Sequence, residues 1–454
     1  MDYLSTTDFI LIFIYFGILL LIGYFSSRKR KEEDFLIADR KLGTWSTMAT
    51  MNASKSGSIL MTFVALVYLW GFSAVWYFVG VIAGIILFIP FALRLKRYSQ
   101  QKFYTLADYF KEKYGKKPAV FASLLSILLM FGLSVINIIA GTKIFVFFTG
   151  WAFWICATIM ILIILFYLLL GGFKAVAKTD ILQYIAMIFI LLMLTLVLFK
   201  GSLIPASDWG VFKSSITTLI GFFIVGVLFP FASPDLWQRV YSSKGKKQLR
   251  NGLVLSVIFY AFMGLLLALV ALTVKVQFPT IDPDLALLNG FANLLPTGLL
   301  GLSIVLLFSA VMSNLDTYIY TESSAVVQDF FNWDKPKIVK NIRKVIFLFA
   351  IIGTLIAISI QSLIISTYIF VAFYAALAIP VIATWLKKTI KPKTIIYSFI
   401  FGIIGIILFI VLNLSKGEIT PMIVIEAIGS SLFGLFIGSL VGFLKNKTRV
   451  LNKV

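Results

Sequence analysis

Histidine is absent from the 454-residue sequence, and cysteine occurs once, as Cys156. These shortages exclude an intrachain disulfide, a zinc site of the cysteine–histidine kind, and acid–base catalysis by histidine. Cys156 lies in the apolar stretch WAFWICATIM, where a thiol packs as a small apolar side chain. The sequence also lacks a Walker-type phosphate loop, which argues against a pump driven by ATP.

Charged residues are scarce as well, at 13% of the chain, whereas 60% of the residues are hydrophobic. The mean hydropathy is +1.01. Apolar runs of about 18 or more residues recur along the chain, and the alternation typical of a membrane barrel is missing. The sequence therefore predicts an all-α polytopic membrane protein with about thirteen spans. They cover residues 8–26, 44–70, 74–96, 118–146, 150–171, 178–199, 216–239, 251–275, 299–325, 341–360, 362–386, 395–414 and 421–444.

The net charge of +21 comes mainly from short loops on alternate sides of the spans. Segments such as SSRKRKEED, YSSKGKKQLRNG and LKKTIKPKT are basic, whereas the intervening loops, such as LSKGEIT, hold few basic residues. This asymmetry favours a positive-inside membrane protein over a nucleic-acid binder and places the N-terminus outside and the C-terminus in the cytoplasm. The first apolar run has no basic residues before it, so we expect a retained span in a plasma or inner membrane.

Two predicted spans contain residues that interrupt a helix. The second span contains NASKSGS, and the seventh contains FPFASPD with Pro230 and Pro234. Broken helices at corresponding positions of two repeats indicate the binding site of a transporter. Because the breaks lie five spans apart, we expect two inverted five-helix repeats at 41–200 and 201–388. A first span and cytoplasmic loop (1–40) would precede them, and two spans with a basic tail (389–454) would follow.

The long outer segment 276–298 contains several prolines and a short amphipathic centre. Such a segment forms either an outer lid or a plain connector, and the sequence does not favour one over the other.

The stretch LLLGGFKAVAKTDILQ contains the adjacent glycines Gly171 and Gly172, which predict a tight cytoplasmic turn after span five. Lys174 and Lys178 would then lie at the membrane surface. Asp180 opens span six, where it would either cap the helix or contribute to an ion pathway.

Polar residues share one face of the predicted ninth span, LFSAVMSNLDTYIYTESSAVVQDF. They are Ala310, Ser313, Asn314 and Thr317, with helical spacing. Asp316 lies beside that face and Glu322 lies two turns further along, and ionisable groups inside a span are candidates for an ion pathway. Ser323 and Ser324 are explained as well by hydrogen bonds between helices.

The stretches DFLIADRKLGTWSTMATMNASKSG, GGFKAVAKTDILQ, PDLWQRVYSSK and AVMSNLDTYIYTESSAVVQD resemble the solute:sodium symporter family. The resemblance implies a LeuT-type 5+5 inverted-repeat fold and alternating access. It also implies a sodium site formed by carbonyls around Ala53 and Ser56, the carbonyl of Ala310 and two side-chain oxygens, here from Ser313 and Asn314. Asp180 matches an acid that lies close to that site. No cofactor is implied, and Na⁺ is the candidate coupling ion.

Lys55 is the largest departure from the family pattern, because relatives carry an acid or an uncharged residue there. A fixed ammonium ~4 Å from a sodium ion costs on the order of 4 kcal/mol at an effective dielectric of ~20. We expect Asp180 and Asp316 to offset this repulsion and to complete a polar network with Thr317. Three interpretations remain: the ammonium replaces Na⁺ and makes transport sodium-independent or proton-coupled, it pairs with an acid while sodium coupling survives, or it contacts an anionic substrate.

Candidate substrate-binding residues lie where the broken spans should meet at mid-membrane. They are Ser58, Ile59, Trp76, Tyr77, Asn137, Ser233, Asp235 and Tyr374. Aromatic residues make up 16% of the chain, so any one of them is more often packed or lipid-facing than part of a pocket.

The sequence as a whole predicts a non-enzymatic secondary transporter that moves a small polar solute, such as a sugar, an amino acid or a carboxylate, by symport. Its expected partners are the solute and the lipid bilayer. We expect neither nucleic-acid binding nor an obligate protein partner. A channel, a transporter-like sensor and a membrane-embedded enzyme are weaker alternatives, because the sequence shows no filter loop, signalling domain or paired catalytic residues.

Overall fold

A computed structural model describes residues 10–11, 13–15, 17–18, 21, 40–99, 102–296, 298–331, 335–387, 389–414 and 419–451. These residues are predominantly helical, and the only extended pairing among them is an isolated bridge between Leu42 and Ser243. Nine helical segments in the described part are long and apolar enough to cross a membrane. The all-α, multi-pass class predicted from the sequence is therefore confirmed.

Fifteen α-helices are numbered here in chain order from residue 44. They are α1 (Thr44–Ala53), α2 (Gly57–Trp70), α3 (Trp76–Tyr98), α4 (Leu106–Tyr114), α5 (Lys116–Thr149), α6 (Phe153–Lys200), α7 (Ile216–Leu228), α8 (Pro234–Ser242), α9 (Lys246–Gln277), α10 (Ala286–Leu294), α11 (Leu300–Phe330), α12 (Lys335–Ile360), α13 (Leu363–Leu386), α14 (Pro392–Leu414) and α15 (Met422–Leu451).

The second predicted span is broken where the sequence indicates. Helix α1 ends at Ala53 and α2 begins at Gly57. In the gap, the Lys55 amide bonds to the Asn52 carbonyl at 3.1 Å and the Ser56 amide to the Ala53 carbonyl at 3.4 Å. These bonds span three residues instead of four, so the helix is tightened and interrupted at mid-span.

The seventh predicted span breaks in the same way between α7 and α8. Helix α7 ends at Leu228, and α8 begins at Pro234, where a proline is tolerated because the first helical amide has no partner within the helix. Asp235 follows in the first turn of α8, where a negative charge is favoured by the helix dipole. The two breaks predicted from the sequence are thus both present.

Helix α6 is helical at every residue across Gly171 and Gly172, where a turn is predicted. Its 48 residues would extend about 72 Å as a straight helix, more than twice the thickness of the bilayer core. Its two ends contact the C-terminal ends of two neighbouring helices. A Cβ on Gly201 would meet Thr273 near the end of α9, and Cys156 lies 3.9 Å from Thr149, the last residue of α5.

The outer segment folds back onto the protein. Helix α10 buries Leu287, Leu288 and Phe291 almost completely. Before it, the Asp284 carboxylate accepts a hydrogen bond from the Leu363 amide at 2.8 Å and lies 3.0 Å from the Lys143 ammonium. The segment is thus docked on the helices, and its role as an outer lid stays a prediction.

Close helix contacts hold the broken seventh span against α3. A Cβ on Gly80 of α3 would lie 2.1 Å from the Phe223 carbonyl of α7, and a Cβ on Gly226 would lie 2.3 Å from the Tyr77 carbonyl. Only glycine permits such an approach of backbones. Helices α5 and α11 pass through the most buried part of the bundle and provide the rigid walls next to the breaks.

Candidate transport site

Lys55 lies in the break between α1 and α2, and its ammonium is 2.7 Å from the Asp235 carboxylate at the start of α8. Both side chains are buried, with exposures of 4% and 0%. The ammonium also lies 5.1 Å from the ring centre of Phe229 and 4.9 Å from that of Tyr318. An ion pair and two aromatic faces together offset the cost of removing this charge from water.

Arg239, one turn after Asp235 on α8, is fully buried and joins four helices. Its guanidinium donates to the Thr50 carbonyl of α1 and to the Asp235 carbonyl, each at 3.1 Å. It also donates to the Asp180 carboxylate of α6 and the Thr317 hydroxyl of α11, again at 3.1 Å. The rigid fork of donors on arginine suits such a bridging position.

The second oxygen of Asp180 accepts a hydrogen bond from the Ser313 hydroxyl at 2.6 Å. Lys55, Asp235, Arg239 and Asp180 therefore form a buried row of alternating charges, which we call the charge chain. The charge chain begins with the Lys55–Asp235 salt bridge of 2.7 Å and ends with the Arg239–Asp180 salt bridge of 3.1 Å. At its centre, a guanidinium nitrogen of Arg239 lies 3.9 Å from a carboxylate oxygen of Asp235. The four formal charges cancel, so the chain as a unit carries no net charge into the membrane.

The partner predicted for Lys55 is wrong. The structure pairs Lys55 with Asp235, which the sequence analysis assigned to the substrate pocket, while Asp180 binds Arg239. Asp316 instead lies near Thr179, and the Thr179 hydroxyl is 3.5 Å from the Asp316 carboxylate. The reason is that Pro234 starts α8 so that Asp235 faces the other broken span. Arg239 was missed because its motif, LWQR, precedes a basic loop and resembles a cytoplasmic boundary.

Two residues of the predicted cation site, Ala310 and Asn314 of α11, border the start of α2. A Cβ on Gly57 would lie 2.7 Å from the Ala310 carbonyl oxygen and 2.6 Å from the Asn314 side chain, so α2 begins in direct contact with α11. The Asn314 side-chain oxygen is buried and lacks a hydrogen-bond partner within the described part of the chain. Backbone carbonyls and an amide oxygen are ligands of the kind that hard cations prefer. The Ser56 hydroxyl, in contrast, donates to the Asn52 carbonyl at 2.7 Å.

One pair of predicted substrate residues is joined by a hydrogen bond. The Asn137 side chain of α5 accepts from the Ser58 amide at 3.0 Å. Ser233 donates to the Phe229 carbonyl at 2.8 Å, and the Phe229 ring lies 5.7 Å from the Tyr374 ring of α13 between centres. These polar groups surround the two breaks.

The other predicted substrate residues lie elsewhere or serve packing. The Trp76 indole donates to the Val211 carbonyl at 3.0 Å, in the loop before α7. Tyr77 packs edge-on against Phe78, with 5.4 Å between ring centres. Ile59 is half-buried and packs against the hydrophobic core.

An aromatic layer packs against α8 on the side that the basic loops predict to be cytoplasmic. The Trp237 ring, which is fully buried, is 5.3 Å from Phe91 and 5.5 Å from Tyr109 between ring centres. Beyond it is a cavity of about 320 Å³, lined by Arg94, Lys113 and Trp385 among others. The layer therefore lies between α8, which carries Asp235 and Arg239, and this cavity.

The sequence profile of the sodium:solute symporter family matches residues 35–204 and 206–390, which include both breaks and the whole charge chain. The chain belongs to the sodium:solute symporter family. The predicted resemblance is thereby confirmed, and the protein is a secondary symporter and a multi-pass membrane protein.

Relatives of this symporter include the sodium/proline symporters of Staphylococcus aureus strains Newman and JH9. Each is 24% identical over 352 residues, which cover 71% of this chain and 68% of the relative. The fold is similar to that of a Na⁺-coupled sialic acid symporter in its outward-open, substrate-bound state, with a TM-score of 0.79 at 18% identity. That match covers 96% of this chain and 98% of the other. A nucleobase-cation-symport-1 family transporter in a closed conformation matches with a TM-score of 0.54 at 12% identity, over 91% and 95% of the two chains.

Further along α11, the symporter buries Glu322 completely. The Ser134 hydroxyl of α5 lies 3.4 Å from its carboxyl group. Ser324, on the same helix, contacts Gln238 at 3.4 Å, as expected for a hydrogen bond between helices. These residues lie outside the charge chain and serve the α5–α8–α11 interfaces.

Proposed function

We propose that this symporter couples Na⁺ entry to the uptake of a small polar organic solute by alternating access, and that Lys55 leaves the cation site free. The observation that carries the proposal is the 2.7 Å pair between Lys55 and Asp235. An ammonium held by a carboxylate and two aromatic rings has its own counter-charge and repels a nearby cation less than a lone ammonium would.

The polar groups around Gly57 support sodium as the coupling ion. The Ala310 carbonyl oxygen borders this position, and so do Cγ and Nδ2 of the Asn314 amide. The oxygen of that amide is buried and lacks a hydrogen-bond partner among the described residues. The family places further carbonyls at Ala53 and Ser56, on either side of the break. Ser313 would have to turn its oxygen lone pairs toward the ion while still donating to Asp180, which a hydroxyl can do.

The polar groups at the breaks support a sugar, an amino acid or a carboxylate as the solute. Ser58, Asn137, Ser233 and Tyr374 provide hydrogen-bonding groups beside apolar walls, which is the usual composition of a small-molecule site. The relatives named above carry proline or sialic acid, and we take from them only the class of small organic solutes.

Two linked measurements test this proposal. The purified protein is screened by thermal unfolding against sugars, amino acids and carboxylates, each in NaCl and in KCl, because a ligand that binds the native state raises its apparent stability. Any solute that binds is then tested for uptake into proteoliposomes. We expect stabilisation and uptake to rise steeply with Na⁺. Equal uptake in KCl, with no effect of an imposed Na⁺ gradient, would refute sodium coupling.

A second candidate function is sodium-independent or proton-coupled transport, in which the Lys55 ammonium takes the place of Na⁺. It is favoured by the position of Lys55 inside the broken span itself. In this case an imposed pH gradient, rather than a Na⁺ gradient, drives uptake by the wild-type protein. Lys55→Ala would then abolish the response to the pH gradient.

A further inference from the structure

A basic groove lies at the cytoplasmic ends of α5, α14 and α15, far in sequence from the charge chain. Its volume is about 880 Å³. Its cationic lining consists of Lys116 and Lys117 at the start of α5, and of Lys391 and Lys393 around the start of α14. No acidic side chain of the described residues lines it.

The groove is shaped by close contacts between its helices. A Cβ on Gly438 of α15 would lie 2.6 Å from the Thr394 backbone of α14. The Lys391 ammonium donates to the Gly442 carbonyl at 2.8 Å, which holds this lysine against α15. The floor of the groove is thus fixed by backbone packing, while the other three lysines are exposed along its edges.

The deeper part of the groove is apolar. Ile396 of α14 and Val441 of α15 line it and are half-buried. The strongly exposed Leu440, Phe443 and Leu444 of α15 lie on the opposite face of that helix and contact the membrane there. The basic edge and the apolar lining together suit a phospholipid headgroup and the first part of its acyl chains.

We propose that this groove binds the phosphate of an anionic phospholipid whose acyl chains lie along α15. Basic pockets between spans on the cytoplasmic side are suited to anionic headgroups, because lysines attract the phosphate and the bilayer supplies the tails. A free phosphate ion shares the headgroup chemistry, but it would make no use of the apolar lining of the groove.

The test uses the full-length protein, delipidated in a neutral detergent. Cardiolipin, phosphatidylglycerol, phosphatidylcholine and inorganic phosphate are titrated separately, and bound lipid is counted by native mass spectrometry alongside the thermal unfolding midpoint. The groove variant replaces Lys116, Lys117, Lys391 and Lys393 by glutamine. The matched control replaces four other exposed cytoplasmic lysines, Lys102, Lys337, Lys340 and Lys344, so that both variants lose the same charge.

We expect both anionic lipids to bind and raise the unfolding midpoint of the wild type and the control. The groove variant should bind them about tenfold more weakly. Equal binding by the groove variant and the control, equal binding of phosphatidylcholine, or full stabilisation by phosphate alone would each overturn the proposal. If the groove variant does not elute as a monodisperse species, Lys116→Gln/Lys393→Gln replaces it, because that pair leaves the Lys391–Gly442 contact intact.

Discussion

At the scale of single residues, the charge of Lys55 is matched by Asp235, and each of the two is costly without the other. Removing one partner of a buried ion pair leaves an uncompensated charge and costs about 3–5 kcal/mol. We therefore expect Lys55→Gln and Asp235→Asn each to lower the thermal unfolding midpoint and to reduce uptake severely. The double variant Lys55→Gln/Asp235→Asn should recover much of the stability, since two amides of similar size can hydrogen-bond to each other.

The measurement is a double-mutant cycle on thermal unfolding of the purified protein. Lys213, which forms an exposed pair of 3.5 Å with Asp208, provides the control. Because exposed pairs contribute little, Lys213→Gln should leave the midpoint nearly unchanged. Additive losses in the Lys55–Asp235 cycle would show that the two residues do not act as a pair.

Gly57 is the second residue whose role can be tested alone. Alanine would place its Cβ 2.7 Å from the Ala310 carbonyl oxygen and 2.6 Å from Asn314, so α2 and α11 would have to separate. Overpacking of this kind costs about 1–3 kcal/mol. We expect Gly57→Ala to raise the half-saturating Na⁺ concentration of uptake by roughly tenfold or more.

The control for this variant is Gly43→Ala, because a Cβ at Gly43 meets nothing within 4 Å. A Gly57→Ala protein with the sodium dependence of the wild type would place the cation away from the start of α2. The comparison needs only uptake measured across a series of Na⁺ concentrations at constant ionic strength.

At the scale of elements, the segment 276–298, whose role as an outer lid stays a prediction, is fastened to two helices through Asp284. This carboxylate accepts from the Leu363 amide of α13 and pairs with Lys143 of α5, and Asp282 lies 3.6 Å from the same lysine. Lys143→Gln removes the charge that holds both acids. We expect the lid to open more often and the polar region at the start of α2 to become accessible from outside.

Accessibility is measured by labelling a single cysteine with a membrane-impermeant maleimide. Because Cys156 is the only native cysteine, Cys156→Ala with Ser58→Cys provides a clean reporter. Lys143→Gln should increase its labelling rate about fivefold or more, since a charged pair of this kind contributes on the order of 1 kcal/mol. Lys213→Gln is again the control, and an unchanged rate in Lys143→Gln would show that the pair does not hold the lid.

The positions of the helix breaks were more predictable than the pairs of side chains that meet there. The breaks at NASKSGS and FPFASPD could be located because proline and small polar residues interrupt apolar periodicity locally. The pairing of Lys55 with Asp235 could not be predicted, because those residues are 180 positions apart and meet only after both repeats have packed. Arg239 was overlooked for the same reason: a basic residue near the end of a span usually lies at the membrane surface, and only tertiary structure shows it fully buried.

At the scale of the whole molecule, composition and hydrophobic runs were enough for the membrane class, and the four motifs were enough for the family. The orientation remains a prediction from the basic loops. A fluorescent protein fused after Val454 should fluoresce in intact cells, because that fluorophore matures in the cytoplasm. A secreted reporter enzyme fused there should be inactive, and the opposite pattern would reverse the assignment.

The charge chain has one more consequence, and it concerns voltage. Lys55, Asp235, Arg239 and Asp180 sum to zero, so these four residues add no net charge movement when the empty protein changes its orientation. A carrier that takes up one Na⁺ with a neutral solute moves one elementary charge, worth about 2.3 kcal/mol per 100 mV of membrane potential. As far as these four residues are concerned, the membrane potential would then act on the loaded protein, and transport currents should depend on voltage mainly at limiting Na⁺.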